Sequence, residues 1–367
     1  MKVKCSYEIL EKSIEAVGRL TTKHISLPVL SCVYLKTEGK SIVVRATNLN
    51  IGVEIKIPAI VEEEGETAIP GNVFLSTISA IKSKKDVSLE VKDGNLYILT
   101  DKESLVIKCM STEDFPTLPQ TEGRKYSIPK QALISGIKSV SFSCATSDIK
   151  PEIASVYIYP HENEIIFVGT DSFRLAEKKV KLKKDIHDFN GILLPVKNVA
   201  DFLRILEMYS DSDVTLTISK NQISVEEPGF YMTSRVVDGI FPDYRQIIPK
   251  ENSTSAVLFK KDLVDTLKLS SVFIDKFGHL SVSIDPKAKK FEITTKNSDI
   301  GEHQGSISAA LTGEAVSLNI NQRYINEVLS YISEDSIELL FSGAQKAVIV
   351  RGVGNNQFTY LVMPMNR

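Results

Sequence analysis

The sequence has no tryptophan, only four cysteines, and no dominant charge sign, with 44 Lys and Arg against 46 Asp and Glu over 367 residues. Cys5, Cys32, Cys109 and Cys144 are scattered, with no Cys-x-x-Cys pair, which favours reduced, half-buried thiols over a zinc site or a disulfide framework. The five histidines (His24, His161, His187, His279, His303) form no HxH or HExxH pair, so metal catalysis has no support and no cofactor is expected. A net charge of −2 argues against a general electrostatic sponge for nucleic acid, though not against one basic face. No apolar run approaches the ~20 residues that span a bilayer. The first residues carry no apolar h-region or small-residue cleavage site, so no signal peptide is read and a cytoplasmic location is expected.

What the sequence does have is repetition. Ile69-Pro70, Leu194-Pro195 and Ile320-Asn321 lie 125 and 126 residues apart, and each leads into a segment with apolar residues at helical spacing. Val199, Phe202, Leu203 and Leu206 show that spacing most clearly. A second helical pattern precedes each of these, over residues 7–17, 130–140 and 261–271. After each comes an alternating hairpin, over 87–99, 214–227 and 337–350, with Asp93-Gly94 and Lys220-Asn221 as turn residues. Each unit then ends on an aromatic or Met followed by Pro: Phe115-Pro116, Phe241-Pro242 and Met363-Pro364.

Four shared features in one order predict an α+β chain of three tandem domains, each with two helices and about eight strands. The expected limits are 1–122, 123–249 and 250–367, with polar, turn-rich linkers near 120–125 and 249–255. Similar units joined by similar interfaces turn by a similar angle each time, so such an array curves and can close into a ring. The angle itself is not fixed by the sequence, so the number of chains that close it stays open.

Four strings carry a family resemblance: Ser26-Leu27-Pro28-Val29-Leu30, Gly169-Thr170-Asp171-Ser172-Phe173-Arg174-Leu175-Ala176, Phe241-Pro242-Asp243-Tyr244-Arg245 and Tyr360-Leu361-Val362-Met363-Pro364-Met365. In that order, on a triplicated frame, the chain resembles the β subunit of bacterial DNA polymerase III, the processivity clamp, along its whole length. The resemblance implies a non-catalytic DNA sliding clamp: a head-to-tail homodimer whose DNA-clamp domains form a ring, with helices lining the hole and sheets outside. Its partners would be duplex DNA, held topologically, and replicative polymerase, clamp loader and repair proteins, docked through short linear peptides.

Carried over by position, the peptide groove would comprise Ile153, Thr170, Ser172, Phe173, Arg174, Leu175, Pro242, Gln246, Ile247, Phe277, Asn321, Tyr324, Val362, Met363, Pro364 and Met365. Aliphatic and Met walls accept varied apolar anchors, and Arg174 would offer a donor fork to peptide carbonyls or a carboxylate. Ser172-Phe173 stands where the family often has Gly-His, and Asn366-Arg367 follows Met365 where an Arg commonly comes directly. Helix residues expected to face DNA are Lys12, Lys82, Lys84, Lys85, Lys138, Lys197, Arg204, Lys268 and Arg323, with Lys23, His24, Ser147 and Lys150 in loops. Glu8, Glu11, Glu15, Glu207 and Asp265 on the same helices imply modest attraction. At the dimer seam, Leu105 and Ile107 would meet Val272 and Phe273, with Lys102 and Lys108 against Asp299 and Glu302.

Enzymatic readings fail on their own chemistry. Gly39-Lys40-Ser41 resembles the end of a phosphate loop, but Tyr34 occupies the position of the required first glycine. Asp171 and Asp243 lack a partner base or metal ligand, and Asp171 is expected to order the turn that holds Arg174. The competing class is a triplicated αβ scaffold or ligand-binding module that never encircles DNA.

Overall fold

Each repeat starts with a strand that runs directly into a helix. The computed structural model describes residues 1–21, 25–82, 85–182, 189–208 and 213–365. The first repeat comprises β1 (Lys2–Ser6), α1 (Tyr7–Gly18), β2 (Cys32–Glu38), β3 (Ser41–Thr47), β4 (Ile51–Glu63), β5 (Glu66–Pro70), α2 (Gly71–Ala80), β6 (Asp86–Lys92), β7 (Asn95–Leu99) and β8 (Ser104–Lys108). The second follows the same order: β9 (Arg124–Pro129), α3 (Lys130–Ser141), β10 (Ser155–His161), β11 (Glu164–Thr170), β12 (Arg174–Lys181), β13 (Ile192–Pro195), α4 (Val196–Glu207), β14 (Asp213–Ile218), β15 (Gln222–Glu227) and β16 (Phe230–Arg235). The third comprises β17 (Thr254–Phe259), α5 (Lys260–Ser270), β18 (His279–Asp285), β19 (Lys290–Asn297), β20 (Gly301–Ser306), β21 (Ala309–Gly313), β22 (Val316–Asn321), α6 (Gln322–Leu329), β23 (Ser336–Phe341), β24 (Val348–Gly352) and β25 (Phe358–Val362). Its extra strand arises because the counterpart of the long β4 is broken into β20 and β21.

Local chemistry explains these elements. Val199, Phe202, Leu203 and Leu206 turn one face of α4 into the core, as do Leu10, Ile14 and Val17 in α1. Each such burial contributes roughly 1.5–3 kcal/mol. Asp93 and Gly94 both have positive φ, 52° and 71°, which gives the β6–β7 hairpin the primed turn that suits its twist. The first residue of the first helix also has a recurring task. Tyr7 Oη donates to the carbonyls of Ile78 (2.6 Å) and Ile81 (2.8 Å) at the end of α2, and Lys260 Nζ donates to that of Ile332 (2.7 Å) just past α6. Carbonyls at a helix C-terminus lack intrahelical partners, and an ammonium there also complements the helix dipole. Lys130, at the same position of the second repeat, is buried.

The chain folds as two compact units, Met1–Ile134 with Lys197–Asp238, and Ser135–Val196 with Gly239–Arg367. The middle repeat is thus divided between them. The first unit holds a twelve-stranded sheet with the path β8-β7-β6-β1-β4-β16-β15-β14-β9, to which β2, β3 and β5 attach. The second unit holds a nine-stranded sheet, β13-β10-β11-β12-β25-β24-β23-β17-β21, and a four-stranded one, β20-β19-β18-β22.

Within each unit one joint links two repeats, and the two joints follow one rule. β4 pairs antiparallel with β16, from Ile51↔Ser234 to Ile55↔Phe230. β12 pairs antiparallel with β25, from Arg174↔Val362 to Lys178↔Phe358. In both, the fourth strand of one repeat meets the last strand of the next. Two counterparts are left as sheet edges among the described residues: β20, from the split fourth strand of the third repeat, and β8, the last strand of the first.

Candidate functional site

The loop between β11 and β12 is a tight turn built by one carboxylate. Asp171 Oδ1 accepts from the backbone N–H of Phe173 (2.9 Å) and Arg174 (3.0 Å), and its Oδ2 accepts from Arg174 Nε (2.9 Å). Ser172 N–H donates to Thr170 Oγ1 at 3.2 Å, and Ser172 adopts φ 79°, a region that favours glycine. Gly169, just before the turn, has no room for a side chain: a Cβ there would collide with the Val140 carbonyl oxygen. The turn projects Phe173, 62% exposed, outward.

The C-terminal tail completes one wall. Met363 N–H donates to the Phe173 carbonyl at 2.8 Å, and Met365 N–H donates to the Asn319 carbonyl at 2.7 Å. Between tail, turn and β22 lies an open cleft of about 1040 Å³, lined by Ser172, Phe173, His279, Ser281, Ser317, Leu318, Asn319, Ala344, Gln345, Met363, Pro364 and Met365. A second hollow of about 610 Å³ shares His279, Ser281 and Asn319 and extends it to Phe277. Apolar anchors beside a few placed polar groups suit a short peptide or a small ligand.

The predicted groove residues divide by position. Ser172, Phe173, Met363, Pro364 and Met365 line the cleft, and Phe277 lines its extension. Ile153, Thr170, Leu175 and Val362 are buried and back the wall rather than form its surface. Asn321 caps α6 by accepting from Arg323 N–H, and Tyr324 lies against the Arg174 guanidinium, 4.4 Å from ring centroid to Cζ. Arg174 departs from expectation. Its side chain is buried, and its fork is filled by Asp171, Glu327 and the Phe142 carbonyl, so it is not an open donor for peptide carbonyls. Burial works against its charge, but Glu327 and Asp171 outweigh that and hold its pKa above the ordinary value.

Pro242, Gln246 and Ile247 lie on an exposed segment anchored from beneath. Tyr244 Oη donates to buried Glu177 and lies 2.7 Å from Tyr159 Oη, to which Arg245 Nη2 donates at 2.9 Å. Burial and the Glu177 charge push the Tyr244 hydroxyl well above its ordinary range. Asp243 accepts from Gln246 Nε2 at 2.7 Å, so both aspartates weighed for catalysis serve local geometry.

Sequence reasoning missed His279 and Asn319. His279 Nδ1 sits 2.6 Å from Asp275 Oδ2; burial would raise the Asp275 pKa, but hydrogen bonds from His279 hold it below its ordinary value. The available signal was position alone, since both residues lie on adjacent strands flanking the tail.

The predicted cationic residues also sort. Lys12, Lys82, Lys85, Lys138, Lys150, Lys197, Lys268 and Arg323 are exposed, as is Ser147. Lys85 pairs with Asp101 (3.0 Å), Lys268 with Asp265 (3.5 Å) and Arg323 with Glu327 (2.7 Å). Arg204 is engaged otherwise: Nη1 donates to the carbonyls of Glu15 (3.2 Å) and Ala16 (3.0 Å) near the end of α1, and Nη2 to Asp201 (3.0 Å). It staples the first two repeats instead of presenting a charge. Lys23, His24 and Lys84 lie outside the described residues.

At the two sheet edges, Ile107 is buried within its own domain and Leu105 half-buried, because alternation turns them inward and Val106 outward. Val272 is 60% exposed, while Phe273 stacks on His303 of β20 at 6.4 Å. Lys102, Lys108, Asp299 and Glu302 are exposed. Among the described residues no group of His, Cys, Asp and Glu is placed to hold a metal, and no helix is long and apolar enough to cross a membrane.

A strand–helix–four-strand–helix–three-strand unit used three times, with the fourth strand broken in two in the third copy, and joined fourth strand to last at both joints, defines a tandem clamp-type α+β protein. The chain belongs to the DNA polymerase III beta subunit family: its N-terminal, central and C-terminal domain profiles match residues 1–119, 127–243 and 245–366. The beta sliding clamp of Treponema pallidum (strain Nichols) is 26% identical over 371 residues, covering 100% of this chain and 99% of the relative. The solved DNA polymerase III beta subunit of Thermotoga maritima superposes with a TM-score of 0.93 at 22% identity, covering 100% and 99% of the two chains. A Pseudomonas aeruginosa sliding clamp solved bound to griselimycin has a TM-score of 0.94 at 22% identity, with both chains covered in full.

Proposed function

We propose that two copies of this chain close head to tail into a ring around duplex DNA and act as the sliding clamp that gives a replicative polymerase its processivity. The observation that carries this reading is the repeated joint. Fourth strand meets last strand twice within the chain, and the same rule applied once more pairs β20 of one copy with β8 of another. Exposed Val106 on β8, and Val272 and Ile300 beside β20, would be covered there, with Lys102 and Lys108 near Asp299 and Glu302. Domain limits of 1–122, 123–249 and 250–367 accord with first strands beginning at Arg124 and Thr254.

DNA would be held by topology more than by charge. Among the described residues, helices α1–α6 carry nine basic and eight acidic residues, so the exposed Lys12, Lys138, Lys197 and Lys268 attract phosphates only weakly, as a sliding ring requires. The cleft around Phe173 and Met363 would dock short linear peptides of polymerase, clamp loader and repair proteins, in the bacterial cytoplasm. Clamp loaded onto nicked circular DNA should stay through a salt wash and be lost once the circle is cut. Loss at the same rate from circular and linear DNA would support a scaffold or ligand-binding module instead.

A further inference from the structure

We infer that Arg174 is a positioning residue for the cleft: one buried guanidinium ties the residue 171–173 turn, helix α6 and the segment just past α3 into a single frame without touching the docked partner. The inference rests on the proposed peptide-docking role of the cleft. Arg174 reaches three parts of the fold. Nε donates to Asp171, Nη1 to Glu327 on α6, and Nη2 to the Phe142 carbonyl at 2.7 Å beyond the end of α3. Its Cζ lies over the rings of Tyr324 and Phe142, at 4.4 and 5.6 Å from their centroids. Arg174 itself is absent from the cleft lining.

What it holds is the lining. The Asp171 carboxylate oriented by Nε is the one that fixes the N–H groups of Phe173 and Arg174. The Phe173 carbonyl in turn receives Met363 N–H, and Arg174 is the register partner of Val362, so a displaced turn displaces the methionine wall. A lysine keeps the charge but has no planar fork to reach three acceptors at once. Removing one partner leaves a buried charge uncompensated, so the frame is expected to fail as a unit. The same contacts cross the joint between the second and third repeats.

The absence of tryptophan supplies the test. Phe173→Trp places a single indole reporter on the turn, read by emission and acrylamide quenching in the free protein. Griselimycin affinity is measured separately by calorimetry with Phe173 intact, at a temperature where circular dichroism shows every variant folded. Arg174→Met and Arg174→Lys are expected to shift the emission of that reporter and to weaken griselimycin by about tenfold or more, and adding Glu327→Gln to Arg174→Met is expected to cost little further. If Arg174→Met does not fold, Arg174→Lys carries both readings. An unchanged reporter signal overturns the inference, whether affinity stays within about twofold or falls, since a fall alone would mean direct contact with the ligand. Wild-type protein that ignores griselimycin would count against the docking reading, while the indole emission would still decide the positioning role.

Discussion

Ser172 holds a left-handed conformation at the mouth of the cleft, where the related family often carries glycine. A side chain there costs roughly 1–2 kcal/mol, and glycine gives back part of that through its looser unfolded chain. Ser172→Gly should therefore raise stability by about 0.5–1 kcal/mol, read from urea midpoints. A lower midpoint would mean that the hydroxyl has a task of its own. The thiols make a second prediction. Burial pushes Cys5 and Cys144 up to about 12 and raises Cys32 and Cys109 as well, but of the four only Cys109 is partly exposed. Iodoacetamide on the native protein at pH 8 should label Cys109 first and leave Cys5 and Cys144 unlabelled until unfolding. Glu327 makes a third. Burial raises its pKa, but hydrogen bonds from Arg174 and Arg323 outweigh that and hold it below its ordinary 4.5. A carboxylate depressed in the fold contributes stability above its unfolded pKa and loses it as pH falls through the folded one. Wild type should lose stability more steeply below about pH 4.5 than Glu327→Gln, and parallel profiles from pH 7 to 3 would contradict this.

At the scale of elements, much was legible because local patterns and tertiary demand agree. The Val199–Phe202–Leu203–Leu206 face, the Asp93-Gly94 turn and the three hairpins each follow from a short stretch of sequence. What stayed hidden is contact between distant residues. Arg204 reads as a DNA cation on its helix, yet its acceptors lie in α1, nearly 190 residues earlier. Arg174 reads as an open fork, yet its partner Glu327 is 153 residues away. Charge type is visible in a sequence, whereas the acceptor it has found is not. Arg204→Met should accordingly lower stability by about 1–2 kcal/mol, from loss of charged hydrogen bonds at a helix end, and Lys197→Glu should weaken retention on DNA. Edge chemistry was half legible: the β8 strand was found, but alternation puts Val106 outward, not Ile107. Val106→Glu together with Val272→Glu should convert the sedimenting species from two chains to one at micromolar concentration.

At the scale of the whole molecule, the central claim is that one joint used twice inside the chain is used again between chains. Equal joints accumulate equal turns, and a closed array leaves no sheet edge unpaired at the seams. The near balance of charge on the helices then makes sense, because a closed ring needs no strong grip on the DNA it surrounds. Single-particle imaging of the purified protein tests that claim most directly. The account predicts a closed ring of six domains from two chains, with a hole wide enough for a duplex and β8 of each copy against β20 of the other. An open three-domain particle, or a dimer joined through any other pair of strands, would contradict it.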